Sequence, residues 1–147
     1  MFLNELNKKE ANAFVNLVEK LSKVDKVYSE CEKELISNYI EELYLPTEGR
    51  EVLTVESAVK ELNDSTHRIK NIIYFELLGV ALLDGLYEEK ELEFLNKLAV
   101  SFNISKEKQN AYEGYFKKVK FTYDITVSDS EAKIKEIEIL AEKLLAE

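Results

Sequence analysis

The fold is decided by residues 72–105, which read IIYFELLGVALLDGLYEEKELEFLNKLAVSFNIS. The residues up to Leu83 are apolar except for Glu76 and Gly79. Because a helix at the surface of a protein carries a polar side, this helix is expected to be central in the fold. It is too short to cross a bilayer, which takes about 20 residues, and no insertion into a membrane is expected.

A second helix is predicted after Asp84 and Gly85, since a glycine in the left-handed conformation commonly ends a helix. Apolar residues then recur at steps of three and four, which is the spacing of a helix with one buried side. They are Leu92, Leu95, Leu98, Ala99 and Phe102. The stretch therefore predicts two helices joined by a short turn.

The composition favours one all-α domain over residues 1–147. Of the 147 residues 46% are hydrophobic, which is enough for a single core, and one Pro with four Gly argues against many tight turns. The 29 acidic and 20 basic residues give a net charge of −9, which repels nucleic acid and suits cations or basic partners. The lone Cys31 and an N-terminus without a signal-peptide pattern predict a cytoplasmic protein.

Capping residues divide the chain into a bundle of about seven helices. Capping boxes begin at Asn7, Ser29 and Ser128, and single caps are expected at Thr54 and Ser105. Residues 120–127 are expected to be irregular or briefly extended. The predicted helices run at about 8–24, 30–44, 55–62, 67–83, 89–104, from 106 and from 129.

The stretch at 72–105 has a weaker copy near the N-terminus. A shift of 59 positions places Asp25 on Asp84 and brings the two apolar patterns into register. The aligned pairs include Phe14 with Ile73, Val18 with Leu77, Leu21 with Val80, Tyr28 with Tyr87 and Glu32 with Glu91. Two helix-turn-helix repeats, at about 7–45 and 66–104, are therefore expected to pack about a pseudo-two-fold axis, followed by C-terminal helices at about 105–147.

The turn motif of these repeats resembles that of the TerB-like tellurite resistance family, which has Asp-Gly, an apolar residue and a Glu at a helix turn. DGLYEEKE at 84–91 carries the motif, and DKVYSECE at 25–32 carries it with Lys26 in place of the glycine. The resemblance covers about residues 6–104. It implies an all-helical domain with two pseudo-repeats, divalent-cation binding at acidic turns, and a link to tellurite and envelope stress.

The acids of these turns are also candidate metal ligands by their chemistry. Asp25 ends one helix and Glu32 lies in the first turn of the next, and Asp84 and Glu91 repeat this arrangement. A tight turn would bring each pair of carboxylates together, and oxygen ligands of this kind suit Ca²⁺ or Mg²⁺. The turns are not EF-hands, because apolar residues occupy positions where that loop needs acids. A structural interpretation stays open, since acids in a first helical turn are favoured by caps and by the helix dipole.

Other candidate residues have an ordinary structural explanation. Glu76 is expected to reach the edge of the bundle or pair with a base, with a third metal ligand or a buried polar link as the alternatives. The only histidine, His67, is expected at the surface in the first turn of the central helix. Residues 106–123 mix lysines with aromatic residues, which is typical of nucleic-acid binding, but the aromatic spacing favours a core stripe. An anionic protein partner is the preferred interpretation of this basic segment.

The resemblance thus implies a non-enzymatic, cytoplasmic domain that binds a divalent cation at Asp25, Glu32, Asp84 and Glu91 and acts in protein interaction or stress response. The alternative is a protein-interaction module that is indifferent to metal. No enzyme is expected, because the sequence contains no nucleophile with its base, no phosphate loop and no thiolate or imidazole metal set. The partner and the oligomeric state are left open by the sequence.

Overall fold

The computed structural model describes residues 2–23, 30–46, 51–83, 89–125 and 130–146, with side chains for all of these except 30–32, 83, 119–125 and 130–137. These residues form a short 3₁₀ helix at Leu3–Glu5 and seven α-helices, with no strand among them. The all-α prediction is confirmed. The helices are α1 (Lys8–Ser22), α2 (Glu30–Glu42), α3 (Val55–Glu61), α4 (His67–Leu83), α5 (Glu89–Ser101), α6 (Lys106–Ile125) and α7 (Ser130–Ala146).

Two helices, α1 and α4, form the centre of the bundle and pack against each other. The helices α2 and α3 cover α1, while α5, α6 and α7 cover α4. Both central helices are buried on several sides, since every residue from Ala13 to Val18 and from Asn71 to Phe75 is buried. The predicted central position of α4 is therefore confirmed. No helix of the described ranges is both long enough and apolar enough to span a membrane.

Aromatic rings fill the space between α4 and α6. The Phe75 ring lies 4.7 Å from Phe116, 5.2 Å from Tyr115 and 5.4 Å from Tyr112, measured between ring centroids. On the other side of Phe75, Phe2 of the N-terminal segment makes an edge contact at 6.4 Å. Such pairs add about 1 kcal/mol each beyond the area that they bury, so they fix the separation of the two helices.

The predicted caps are present wherever the structure describes them. Asn7 and Glu10 form a reciprocal capping box at the start of α1. The Thr54 hydroxyl accepts from the Ser57 amide at α3, and Ser105 accepts from the Lys108 amide at α6. The predicted boxes at Ser29 and Ser128 lie outside the described residues.

One expectation was wrong, because residues 120–125 are helical and α6 continues to Ile125. The β-branched and aromatic residues of this stretch have a low intrinsic helix propensity, which suggested an irregular segment. Propensity is a weak preference compared with tertiary packing. Here α6 lies against α4 and α7, and continuing an existing helix costs far less than starting one.

The two predicted repeats end in the same way. At the end of α2, Tyr44 has a φ of 55° and the Leu45 amide donates to the Ile40 carbonyl. At the end of α5, Asn103 has a φ of 56° and the Ile104 amide donates to the Ala99 carbonyl. These residues are related by the same shift of 59 positions that aligns the two sequences. A shared ending and the packing of α1 on α2 and α4 on α5 support the repeat, while its two-fold axis stays a prediction.

A buried asparagine fixes the segment before α3 to α1. The Asn16 side chain donates to the Glu51 carbonyl at 3.2 Å and accepts from the Leu53 amide at 2.9 Å. It also donates to the Asn12 carbonyl within α1, so both of its polar groups are used. Because Asn16 is only 1% exposed, water could not replace these partners.

We expect Asn16→Leu to lower the free energy of unfolding by about 2 kcal/mol, because the Leu53 amide would stay buried without an acceptor. Urea denaturation measures the change. Asn38→Leu is the matched control, since Asn38 is exposed on α2 and its replacement should change stability by less than about 0.5 kcal/mol. Equal effects of the two substitutions would show that the Asn16 hydrogen bonds contribute little.

A second pair of substitutions tests the close approach of α4 and α6. A Cβ at Gly79 would lie 2.8 Å from the Phe116 ring, whereas a Cβ at Gly114 on the exposed side of α6 meets no atom within 4 Å. Gly114→Ala should stabilise the protein by up to about 1 kcal/mol through helix propensity. Gly79→Ala should destabilise it by about 1 kcal/mol, because overpacking outweighs the same gain. Thermal unfolding of both variants gives the difference, and a stabilised Gly79→Ala would contradict the packing argument.

Candidate functional site

The predicted metal residues are only partly within the described structure. Asp25 and Asp84 lie outside the described residues, and Glu32 has a described backbone in α2 but no described side chain. Glu91 lies in the first turn of α5 and is half-buried. Whether each pair of carboxylates converges therefore stays a prediction. Among the side chains that are described, no three acids, histidines or cysteines are grouped as metal ligands would be.

Glu76 is the only acid of α4, and its side chain is half-buried. Burial is the main cause that raises the pKa of its carboxyl, and the negative charge of Glu42 acts in the same direction. A hydrogen bond from the backbone of Phe2 lowers the pKa in opposition. Glu76 thus connects α4 with the N-terminal segment through the Phe2 backbone, as the alternative of a buried polar link predicts.

The remaining sequence candidates are placed as expected. His67 is exposed at the start of α4. In the basic segment, Tyr112, Tyr115 and Phe116 are buried in the core, so these rings are not available to stack on bases. Lys117 on the outer side of α6 pairs with Glu113 at 3.4 Å. The core interpretation of these three aromatic residues is confirmed.

An open groove lies between α3 and α5, and we call it the α3–α5 groove. Its main part has a volume of about 560 Å³ and is lined on the α3 side by Val55 and Val59 and on the α5 side by Val100. Val100 is 80% exposed, which is unusual for a valine in a helix. The groove therefore presents an apolar strip to solvent between two helices.

Charged side chains border this apolar strip. Lys60 and Lys97 line the main part together with Glu56. An adjoining hollow of about 390 Å³ shares Glu56 and Lys97 and adds Glu93, with Lys90 farther along. Within the described part of the chain none of these five residues forms an ion pair. The groove thus combines an apolar floor with charges that no described residue neutralises.

Comparison with known protein families, with curated proteins and with solved structures found no match for this chain. The resemblance to the TerB-like family accordingly rests on the residues of the two turns and on the repeat. The groove has to be interpreted from its own geometry and chemistry.

The sequence contained one signal for the groove. Val100 falls outside the buried stripe of α5, whose members Leu95, Leu98 and Phe102 are buried as predicted. A single apolar residue on the polar side of a helix is ordinary, so Val100 becomes significant only because Val55 and Val59 line the same groove. Leu92, which the spacing placed in the stripe, is 39% exposed. Which helix would face Val100 could not be deduced, because α3 and α5 are held in place by different partners.

Proposed function

We propose that this chain is a non-enzymatic protein-interaction domain of the TerB-like type that acts in the cytoplasm. The observation that carries the proposal is the α3–α5 groove, in which an exposed apolar strip is bordered by unneutralised charges. Interfaces commonly combine an apolar centre with a polar rim, and grooves between helices are frequent docking sites for a partner helix. A part in tellurite resistance or stress response is implied only by the family resemblance.

A non-enzymatic role agrees with the residues that the sequence offers. Acid-base or nucleophilic chemistry uses a nucleophile and a base within hydrogen-bond reach. The chain has one histidine, which is exposed at the start of α4, and one cysteine, Cys31, which is flanked by two glutamates. Neighbouring negative charges raise the pKa of a thiol and make it less reactive.

Divalent-cation binding is the second candidate function, and the position of α5 favours it. This helix packs against α4, has Glu89 and Glu91 in its first turn, and begins five positions after Asp84. The same helix supplies Lys97 and Val100 to the groove. A cation that neutralised the acids at the start of α5 would therefore act on the helix that forms one wall of the interaction surface.

The interaction proposal predicts that a single substitution in the groove removes a partner. In affinity purification from a cell extract, we expect the wild-type chain to retain at least one protein that Val100→Asp does not retain. The exposed position of Val100 makes unfolding by this change improbable, and circular dichroism checks the fold. Asn96→Asp, which places the same charge on the exposed side of α5 without lining the groove, is the control. Identical sets of proteins on all three baits would contradict the proposal.

The cation proposal predicts that calorimetric titration with Ca²⁺ or Mg²⁺ gives binding in the millimolar range or tighter. Asp84→Asn should remove the heat at the second turn, because an amide keeps the shape of the side chain but loses its charge. Asp64→Asn, a change at an exposed acid between α3 and α4, should leave it unchanged. Absence of heat in the wild-type chain would rule out this function and leave the metal-independent interaction module.

A further inference from the structure

The shape and the charges of the α3–α5 groove indicate what kind of partner fits it and in which direction the partner chain runs. Building on the proposed interaction function, we propose that the groove binds an amphipathic α-helix that runs antiparallel to α3 and α5. On the sides of its apolar stripe this helix carries an acid followed one turn later by a base.

The linings of the groove give the relative direction of its two walls. The start of α3, at Val55 and Glu56, borders the whole α5 wall from Lys90 to Ser101. Farther along, Lys60 and Asn63 border α5 only from Lys97 to Ser101. The end of α3 therefore lies toward the C-terminal end of α5, so the two helices advance along the groove with a common component of direction.

The shape of the groove favours a helix as its occupant. From Lys90 to Ser101 the α5 wall is about 16 Å long at 1.5 Å per residue, which corresponds to about three helical turns. Two helices that run side by side leave a concave surface, and a third helix is convex and of matching width. A second copy of this chain would present a concave groove to a concave groove. The high exposure of Val100 shows that the groove is too open to enclose a small molecule.

The order of charges on the two walls determines the order of charges that an antiparallel partner needs. Along both walls an acid precedes a lysine by four residues, Glu56 before Lys60 on α3 and Glu93 before Lys97 on α5. An antiparallel helix would meet the lysines first and the acids one turn later, so its own order would be acid and then base. It would meet Lys90 last, where a further acid is favoured. Antiparallel alignment also places the helix dipoles in their favourable arrangement, and acid before base is the order that stabilises a helix by itself.

Two fluorescein-labelled peptides of 15 residues test this inference. Both have the same leucine stripe and the same composition, and both are held helical by a hydrocarbon staple on the side away from the leucines. In the forward peptide, glutamates flank the stripe one turn before lysines, and in the reverse peptide these residues are exchanged. Because the two peptides have the same net charge, the net charge of −9 on the protein affects both affinities equally.

In fluorescence anisotropy with the full chain we expect the forward peptide to bind about tenfold more tightly than the reverse peptide. Combining Lys60→Glu with Lys97→Glu should weaken the forward peptide about tenfold, and adding Glu56→Lys and Glu93→Lys should invert the preference. Val100→Asp should remove binding of both peptides. The single Lys97→Glu variant, at an exposed position, keeps the test valid if the multiple variants do not fold.

Equal affinities for the two peptides, or no binding of either, would overturn the inference. Binding that survives Val100→Asp would overturn it as well, because the peptide would then lie elsewhere. Sedimentation equilibrium tests a further alternative. If the wild-type chain is a dimer and Val100→Asp makes it a monomer, the groove binds a second copy of this chain and the inference is overturned. If the peptides fail while Val100→Asp still loses a protein in affinity purification, the interaction function stands and only the helical, antiparallel partner is wrong.

Discussion

The structure depends on the packing of α1 against α4. Both helices are buried on several sides, and contact with each other alone could not cover them from water. Burial of apolar area contributes about 25 cal/mol per Å², so each side that stayed exposed would cost several kcal/mol. The other five helices of the described chain therefore act as a cover, with α2 and α3 placed on α1 and α5, α6 and α7 placed on α4. The need to bury α1 and α4 explains why five further helices surround this pair.

Polar contacts then determine where the surrounding segments are held against α1 and α4. Glu10 at the start of α1 accepts from the Ser65 hydroxyl at 2.6 Å, which fixes the connection before α4. Arg68 of α4 makes a two-bond contact with Glu5 and also reaches Glu142 of α7, which joins the two ends of the chain to the central helix. The guanidinium and its hydrogen bond hold the pKa of Glu5 below its usual range. At about one-third exposure this ion pair orients the segments more than it stabilises them.

The sequence was sufficient for the fold class and for most local features. Helical spacing predicted α4 as the central helix, and the residues at Asn7, Thr54 and Ser105 predicted three helix starts, because these signals act within four residues of chain. It was insufficient where partners lie far apart in the sequence. The role of Asn16 depends on a segment 35 residues away, and the end of α6 depends on its contact with α7. The groove is the extreme case, since it exists only because α3 and α5 are attached to different central helices. For the acidic turns, the sequence still provides the whole argument.

That arrangement of the groove has a mechanical consequence. Its α3 wall packs on α1 and its α5 wall packs on α4. A bound partner would therefore contact both the group of helices around α1 and the group around α4, and would link them across the α1–α4 interface. Such a ligand would stabilise the α1–α4 interface from outside. It would slow the rare separation of the two groups, and amide exchange deep in the α1–α4 seam would report its presence, although no ligand atom comes near those amides.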